Sequence, residues 1–173
     1  MQLALCQFDT DAQAILAIFN HAILHTTALY EYNPRTMATM QQWFANKTAG
    51  NFPVWGLKNV DGELVAFGSY GTFRAFPAFK YSVEHSVYVH PEHQGKGYGR
   101  MMLTQLIVSA QQQNYHLLIG GIDASNSGSI ALHQKLGFVH SGTITQAGFK
   151  FGRWLDLAFY QLTLVTPTEP VDG

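Results

Sequence analysis

The segment spanning residues 87–100, Val-Tyr-Val-His-Pro-Glu-His-Gln-Gly-Lys-Gly-Tyr-Gly-Arg, limits what this chain can fold into more than any other. Leading into it, Glu84, Ser86 and Tyr88 alternate with His85, Val87 and Val89, the two-residue period of a strand. Pro91 cannot donate to a sheet ladder, so the strand ends before it. Beyond the glycines, Leu103, Leu106, Ile107 and Ala110 recur at helical spacing. Between strand and helix lie Gly95, Gly97 and Gly99, residues that turn with positive φ and let a ligand approach the backbone. Their N–H groups and the positive end of the helix make an anion-binding concavity, to which Lys96 and Arg100 add full charges. A phosphate or pyrophosphate is the ligand such a loop implies. The spacing is neither Gly-x-Gly-x-x-Gly nor the Gly-x-x-x-x-Gly-Lys-Ser/Thr of nucleotide-binding loops. Taken alone, a glycine triplet also reads as a plain surface turn.

The remainder of the chain supports one sizeable core. Its 173 residues suit a single domain, and with 47% hydrophobic and 12% charged residues it is not a disordered chain. Ten Lys and Arg against eleven Asp and Glu leave a net charge of −1, without the basic footprint of a nucleic-acid binder or a polybasic membrane anchor. The sole cysteine, Cys6, cannot form an internal disulfide, which fits a reducing compartment. With no apolar run of spanning length and no signal-peptide layout, a soluble cytoplasmic protein is expected.

Periodicity places a strand at residues 3–8 and a helix from a Thr10–Gln13 capping box to about His25. Thr36 caps a second helix that ends before Gly50. Strands follow at 52–60, 63–73 and 81–89, the first two joined by the Asp61-Gly62 turn. A helix over 98–113, an apolar strand over 115–122 and a helix from Asn126 to the capping Gly137 come next. Strands at 138–145 and 154–164 complete the domain, residues 1–166. Residues 167–173 read as a disordered polar tail. The order β-α-α-β-β-β-α-β-α-β-β is an α+β (mixed α/β) domain, a mixed sheet with helices.

Gln94-Gly95-Lys96-Gly97-Tyr98-Gly99, between that strand and that helix, resembles the Gln/Arg-x-x-Gly-x-Gly/Ala motif of the GCN5-related N-acetyltransferases (GNAT). The element order resembles their fold from end to end, a central twisted mixed sheet with helices on both faces. Ile18–Ala22, Val83–Val89, residues 132–138 and above all Ala147-Gly148-Phe149-Lys150-Phe151-Gly152-Arg153-Trp154-Leu155-Asp156-Leu157 resemble the phosphinothricin and methionine sulfoximine/sulfone acetyltransferase branch. The resemblance implies acetyl-CoA as co-substrate and transfer to the α-amine of a small amino-acid analogue. It also implies a homodimer with shared active sites, while the charge balance argues against a nucleic-acid or membrane partner.

Glu84 is then the general base: an amine, protonated at neutral pH, must lose a proton before it attacks a thioester. A surface carboxylate is its bland alternative. Val87, Tyr88 and Val89 act through their backbone on the pantetheine arm, and Gln94, Gly95, Lys96, Gly97, Tyr98, Gly99 and Arg100 hold the pyrophosphate. Asn126 contacts the CoA arm or caps a helix, and Ser129 is a further contact. His133 stands where many relatives carry the tyrosine that protonates the departing thiolate; histidine can do this or merely pack. Arg74 is the candidate for the substrate carboxylate. Phe76, Phe79 and Tyr30 wall the pocket, and Lys150 and Arg153, with Trp154, approach from a second subunit. Two rivals remain: acetylation of peptide or protein amines, and a non-catalytic acyl-CoA-binding module. The histidines of His90-Pro91-Glu92-His93 are too few to make a metal site.

Overall fold

The computed structural model describes residues 1–172. In chain order the elements are β1 (Gln2–Leu5), α1 (Phe8–His25), α2 (Met37–Ala49), β2 (Val54–Lys58), β3 (Leu64–Thr72), β4 (Ser82–Val89), α3 (Tyr98–Gln112), β5 (Leu117–Asp123), α4 (Ser127–Lys135), β6 (Val139–Lys150) and β7 (Arg153–Thr163). Single 3-10 turns occupy Pro77–Phe79 and Pro91–His93. The sequence of strands and helices is the expected one. The strands form one sheet in the order β1-β2-β3-β4-β5-β7-β6, with β4 and β5 parallel and β5–β7 and β7–β6 antiparallel. By contact density the chain divides into residues 1–70 with 86–106, and residues 71–85 with 107 onward.

In the first unit, Ile15, Ile18 and Phe19 of α1 pack with Met40 and Phe44 of α2 and Phe67 of β3. Phe19 meets Phe67 and Tyr88 edge-on, with ring centroids 4.8 and 5.1 Å away. Strand alternation sends the next residue of β3 to the opposite face. There a Cβ on Gly68 would lie 2.8 Å from Met102 and 3.1 Å from Leu106 of α3. Helices therefore cover both faces of β3. Thr36 caps α2 as expected, and Thr39 completes a reciprocal capping box with it.

The start of α1 is a correction. The helix begins at Phe8, two residues before the expected capping box, and its N-cap Gln7 makes no side-chain cap. Asp11 supplies the cap instead: its Oδ2 accepts the Gln7 N–H at 2.9 Å and the Thr10 hydroxyl at 2.8 Å. Strand β1 is correspondingly shorter than residues 3–8.

In the second unit β5 is apolar on both faces and pairs with β7 over its whole length, from Leu117↔Thr163 to Asp123↔Leu157. It starts at Leu117, later than expected, because the Tyr115 N–H still closes α3 on the Ala110 carbonyl. Strand β6 runs five residues beyond the expected 145, to Lys150. Register shifts at His140/Gly142 and Ile144/Gly148 absorb the extra residues, and Gln146, at φ 53°, gives its N–H to Asp156 Oδ1. Residues 167–172 form neither helix nor strand, and the Tyr81 hydroxyl exchanges hydrogen bonds with the Val171 backbone. The last residue of the expected tail, Gly173, lies outside the described residues.

Candidate active site

Glu84 is the last β4 residue of the parallel ladder with β5, which runs from Ser82↔Leu117 to Glu84↔Ile119. Its side chain stands at the sheet surface, opposite in sense to the buried Val83 and His85. The Glu84 Oε1 lies over Gly121, where an added Cβ would meet it at 3.0 Å, Leu157 Cδ1 at 3.3 Å and Phe159 Cε1 at 3.7 Å. These neighbours desolvate the carboxyl and push it above the usual carboxylate range, while the Arg74 guanidinium pulls it part of the way back. Arg74 lies 5.4 Å from the Phe73 ring, and Phe73 meets Phe79 at 6.2 Å and Phe159 at 6.4 Å. A carboxylate, a guanidinium and an aromatic wall thus converge on one face of this unit. Of the residues expected there, Glu84, Arg74 and Phe79 come together; Phe76 is 72% exposed, at the neighbouring turn.

His133 lies on the other face of the sheet, with His85. Its Nδ1 is 2.7 Å from the Ser129 carbonyl oxygen, which can only accept, so Nδ1 carries the hydrogen. In the neutral ring Nε2 is then an acceptor, filled by His85 Nε2–H at 2.9 Å. Burial holds both imidazoles below the usual range, and for His85 the neighbouring His133 adds to it while the Ile119 carbonyl opposes. The pair is neutral at neutral pH, and both nitrogens of His133 are engaged, Nε2 with His85 and Nδ1 with the Ser129 carbonyl. Phe138 closes the cluster, 5.4 Å from His85 and 5.0 Å from His133. Two consecutive glycines of β5, Gly120 and Gly121, leave room for the histidines on one face and for Glu84 on the other.

Asn126 is the N-cap of α4, its Oδ1 accepting the Ser129 N–H at 3.0 Å. Lys150 is buried within its own chain, with its ammonium 5.0 Å from the Phe151 ring. Arg153 Nη2 stands 3.6 Å from Asp123 Oδ2.

In the first unit, Gln94, Gly95, Lys96 and Gly97 are exposed, and α3 starts at Tyr98, immediately after them. Gly95 and Gly97 have φ of 75° and 82°, and added Cβ atoms would meet nothing within 4 Å. Backbone conformation, not crowding, is what demands glycine here. The open space over the loop and the unsatisfied first-turn N–H groups of Tyr98, Gly99 and Arg100 fit a phosphate-bearing ligand. Lys96 bonds the Glu92 carbonyl at 3.2 Å, which orients it beside the loop. Side chains of Val87 and Val89 pack on Leu57, Val65, Ala66 and Met102, and Tyr88 on Phe19 and Phe67. Burial pushes the Tyr88 phenol up to about 12, so it stays neutral. Tyr30 is 42% exposed. Cys6 is buried, its thiol raised to about 12 by burial and by Asp11, and is no nucleophile. Among the described residues no group of three or more His, Cys, Asp and Glu could hold a metal, and no helix is long and apolar enough to cross a membrane.

Sequence reasoning missed Gly121, Leu157, Phe159 and His85. A strand with Gly-Gly in its interior was the available signal, because such a pair weakens a strand unless something approaches closely.

The Acetyltransferase (GNAT) family matches residues 17–138. The L-amino acid N-acyltransferase MnaT of Escherichia coli K12 is 44% identical over 92% of both chains. The L-methionine sulfoximine/L-methionine sulfone acetyltransferase of Salmonella typhimurium is 45% identical over 92% of this chain and 93% of its own. The solved GNAT superfamily phosphinothricin acetyltransferase of Sinorhizobium meliloti, in complex with AcCoA, superposes with a TM-score of 0.94 at 32% identity, covering 99% of this chain and 94% of its own. A glycine loop at the head of a helix, a mixed sheet whose strands and helices follow the expected order along the chain, and relatives that match nearly end to end agree: the chain belongs to the GNAT family of acetyltransferases.

Proposed function

We propose that this chain transfers the acetyl group of acetyl-CoA directly to the α-amine of a small amino-acid analogue of the methionine sulfoximine, methionine sulfone and phosphinothricin class, in the cytoplasm. The observation that carries the reading is the Glu84 carboxylate, raised by its surroundings, set beside Arg74 and an aromatic wall. Glu84 accepts the proton of the incoming ammonium, directly or through one water, and holds the freed amine in line. Arg74 takes the substrate carboxylate in bidentate fashion, and Phe73 and Phe79 exclude water from one side. Gln94–Arg100 amides and charges grip the pyrophosphate of acetyl-CoA. Backbone groups of Val87, Tyr88 and Val89 hold the pantetheine arm as an added strand, and Asn126 and Ser129 are further contacts to the CoA arm. The closed hydrogen bonding of His133 favours a packing role over that of acid, and a thiolate leaves tolerably without one.

The test is release of free thiol from acetyl-CoA. Turnover with methionine sulfoximine, methionine sulfone or phosphinothricin is expected. Release only with a lysine peptide would support a protein acetyltransferase instead, and CoA binding without release a non-catalytic module.

We further read the enzyme as a homodimer that brings Arg153 or Trp154 to its partner's site. Val139, Ile144, Phe149, Phe151 and Trp154 of the β6–β7 hairpin are 47–61% exposed, and β6 is an edge strand. Light scattering on the purified protein should give twice the chain mass; a monomer mass at micromolar concentration removes this reading.

A further inference from the structure

Gly120 and Gly121 sit in the interior of β5, and nothing in their backbone asks for glycine. Neither has a positive φ, and the ladder to β7 passes both without a bulge, at Gly120↔Tyr160 and Gly121↔Phe159. Glycine in such a place loses packing and costs conformational entropy. What distinguishes these positions is the space that a side chain would take.

On the face that carries Glu84, a Cβ at Gly121 would stand 3.0 Å from the Glu84 Oε1, nearer than ordinary van der Waals contact. The carboxylate leans along β5 from its ladder partner Ile119 to the position two residues on. Leu157 and Phe159 bound the same spot from β7, and Arg74 is the one charged group acting on the carboxyl. On the opposite face a Cβ at Gly120 would stand 2.9 Å from His85 and 3.1 Å from His133, so the neighbouring glycine serves a different cluster.

We infer that Gly121 is a positioning residue: its missing side chain is the slot that sets the direction of the Glu84 carboxylate. The inference rests on the reading of Glu84 as general base. A methyl group there meets the far end of a flexible side chain, so the carboxylate turns away while the sheet stays intact. Misplacing a catalytic group by about 1 Å can cost on the order of 100-fold in rate.

Gly121→Ala is therefore expected to lower kcat by about 10- to 100-fold. The KM for acetyl-CoA stays unchanged, and the acid limb of the pH–rate profile moves downward because a carboxylate turned out of the slot leaves the Leu157 and Phe159 side chains that desolvate it. A fall in Tm with unchanged kcat and acid limb would overturn the inference, since a purely structural glycine does that. The decisive comparison is made on the Glu84→Asp background, whose carboxylate is one methylene shorter and clears position 121. There Gly121→Ala should cost nothing; a full second loss of rate would show that it acts elsewhere. Rates are taken per folded enzyme, counted by CoA binding, so a poorer yield leaves the comparison intact. Glu84→Gln separates the two claims: if it retains turnover, the base assignment itself is wrong, whereas loss in Glu84→Gln with none in Gly121→Ala refutes only the slot.

Discussion

Glu84→Gln should lower kcat by about 1,000-fold, inside the ~10²–10⁴ range for a positioned general base, with little change in the KM for acetyl-CoA. The amide keeps the shape of the side chain over Gly121 but cannot take a proton from the ammonium. Stability should not fall with activity. The folded carboxyl titrates above its unfolded value because burial outweighs the pull of Arg74, so between the two values the native state holds more proton than the unfolded chain. Stability conferred by this group is thus lost as pH rises through that window, and an uncharged glutamine escapes the penalty. A Tm equal to or slightly above the parental one at neutral pH is the expected result. In the parent, kcat/KM rises with pH as Glu84 ionises, with an acid limb above the ordinary carboxylate range. Arg74→Ala, by removing the opposing attraction, should move that limb further up, by a small, salt-sensitive amount because Arg74 is exposed. Full turnover by Glu84→Gln would end the base assignment.

Much of this arrangement can be read directly from the chain, for identifiable reasons. The glycine loop is written locally: positive φ at Gly95 and Gly97 and a helix starting at Tyr98 are what Gly-x-Gly before an amphipathic run dictates. Strand alternation through β4 likewise sets Glu84 against the buried Val83 and His85. Thr36 and Asn126 cap their helices because the capping bond reaches only three residues along. What stays hidden depends on partners distant in sequence. Thr10-Asp11-Ala12-Gln13 has capping-box form, yet Asp11 turns back to Gln7 and meets Lys58, which arrives from β2. Beyond residue 145 β6 persists because Asp156 of the facing strand receives the Gln146 N–H at a bulge. The His85–His133 bond spans forty-eight positions and closes only when α4 docks on the sheet. Arg74, Phe73 and Phe159 likewise meet through sheet pairing that no local pattern announces.

Asp11→Ala should cost about 3 kcal/mol, at the low end of the penalty for breaking a buried ion pair. The carboxylate is nearly enclosed, with 5% of its side chain exposed, whereas Lys58 keeps 25% and can rehydrate when its partner goes. Three bonds are lost together: Lys58 Nζ at 2.6 Å, the Gln7 N–H and the Thr10 hydroxyl. The Gln7 amide bond fastens the opening of α1, whose next turns carry the core residues Ala12, Ile15 and Phe19. In a chain of this length the loss corresponds to a fall in Tm of about 6–12 °C. Burial by itself would raise the Asp11 pKa, but Lys58, the Gln7 amide and the Thr10 hydroxyl together outweigh it and hold the group below its ordinary value. Its contribution is therefore complete above the unfolded pKa and vanishes as pH falls through the lower, folded one. Lys58 is raised by its bond to Asp11, so its share persists below the unfolded lysine value and disappears as pH climbs through the folded one. Parent and variant melting curves should accordingly stand furthest apart across the neutral range and draw together as pH falls below the ordinary carboxylate range, where the native carboxylate gains its proton. A gap that stayed constant through acid titration would mean that shape, not charge, fastens the first turn of α1 to β2.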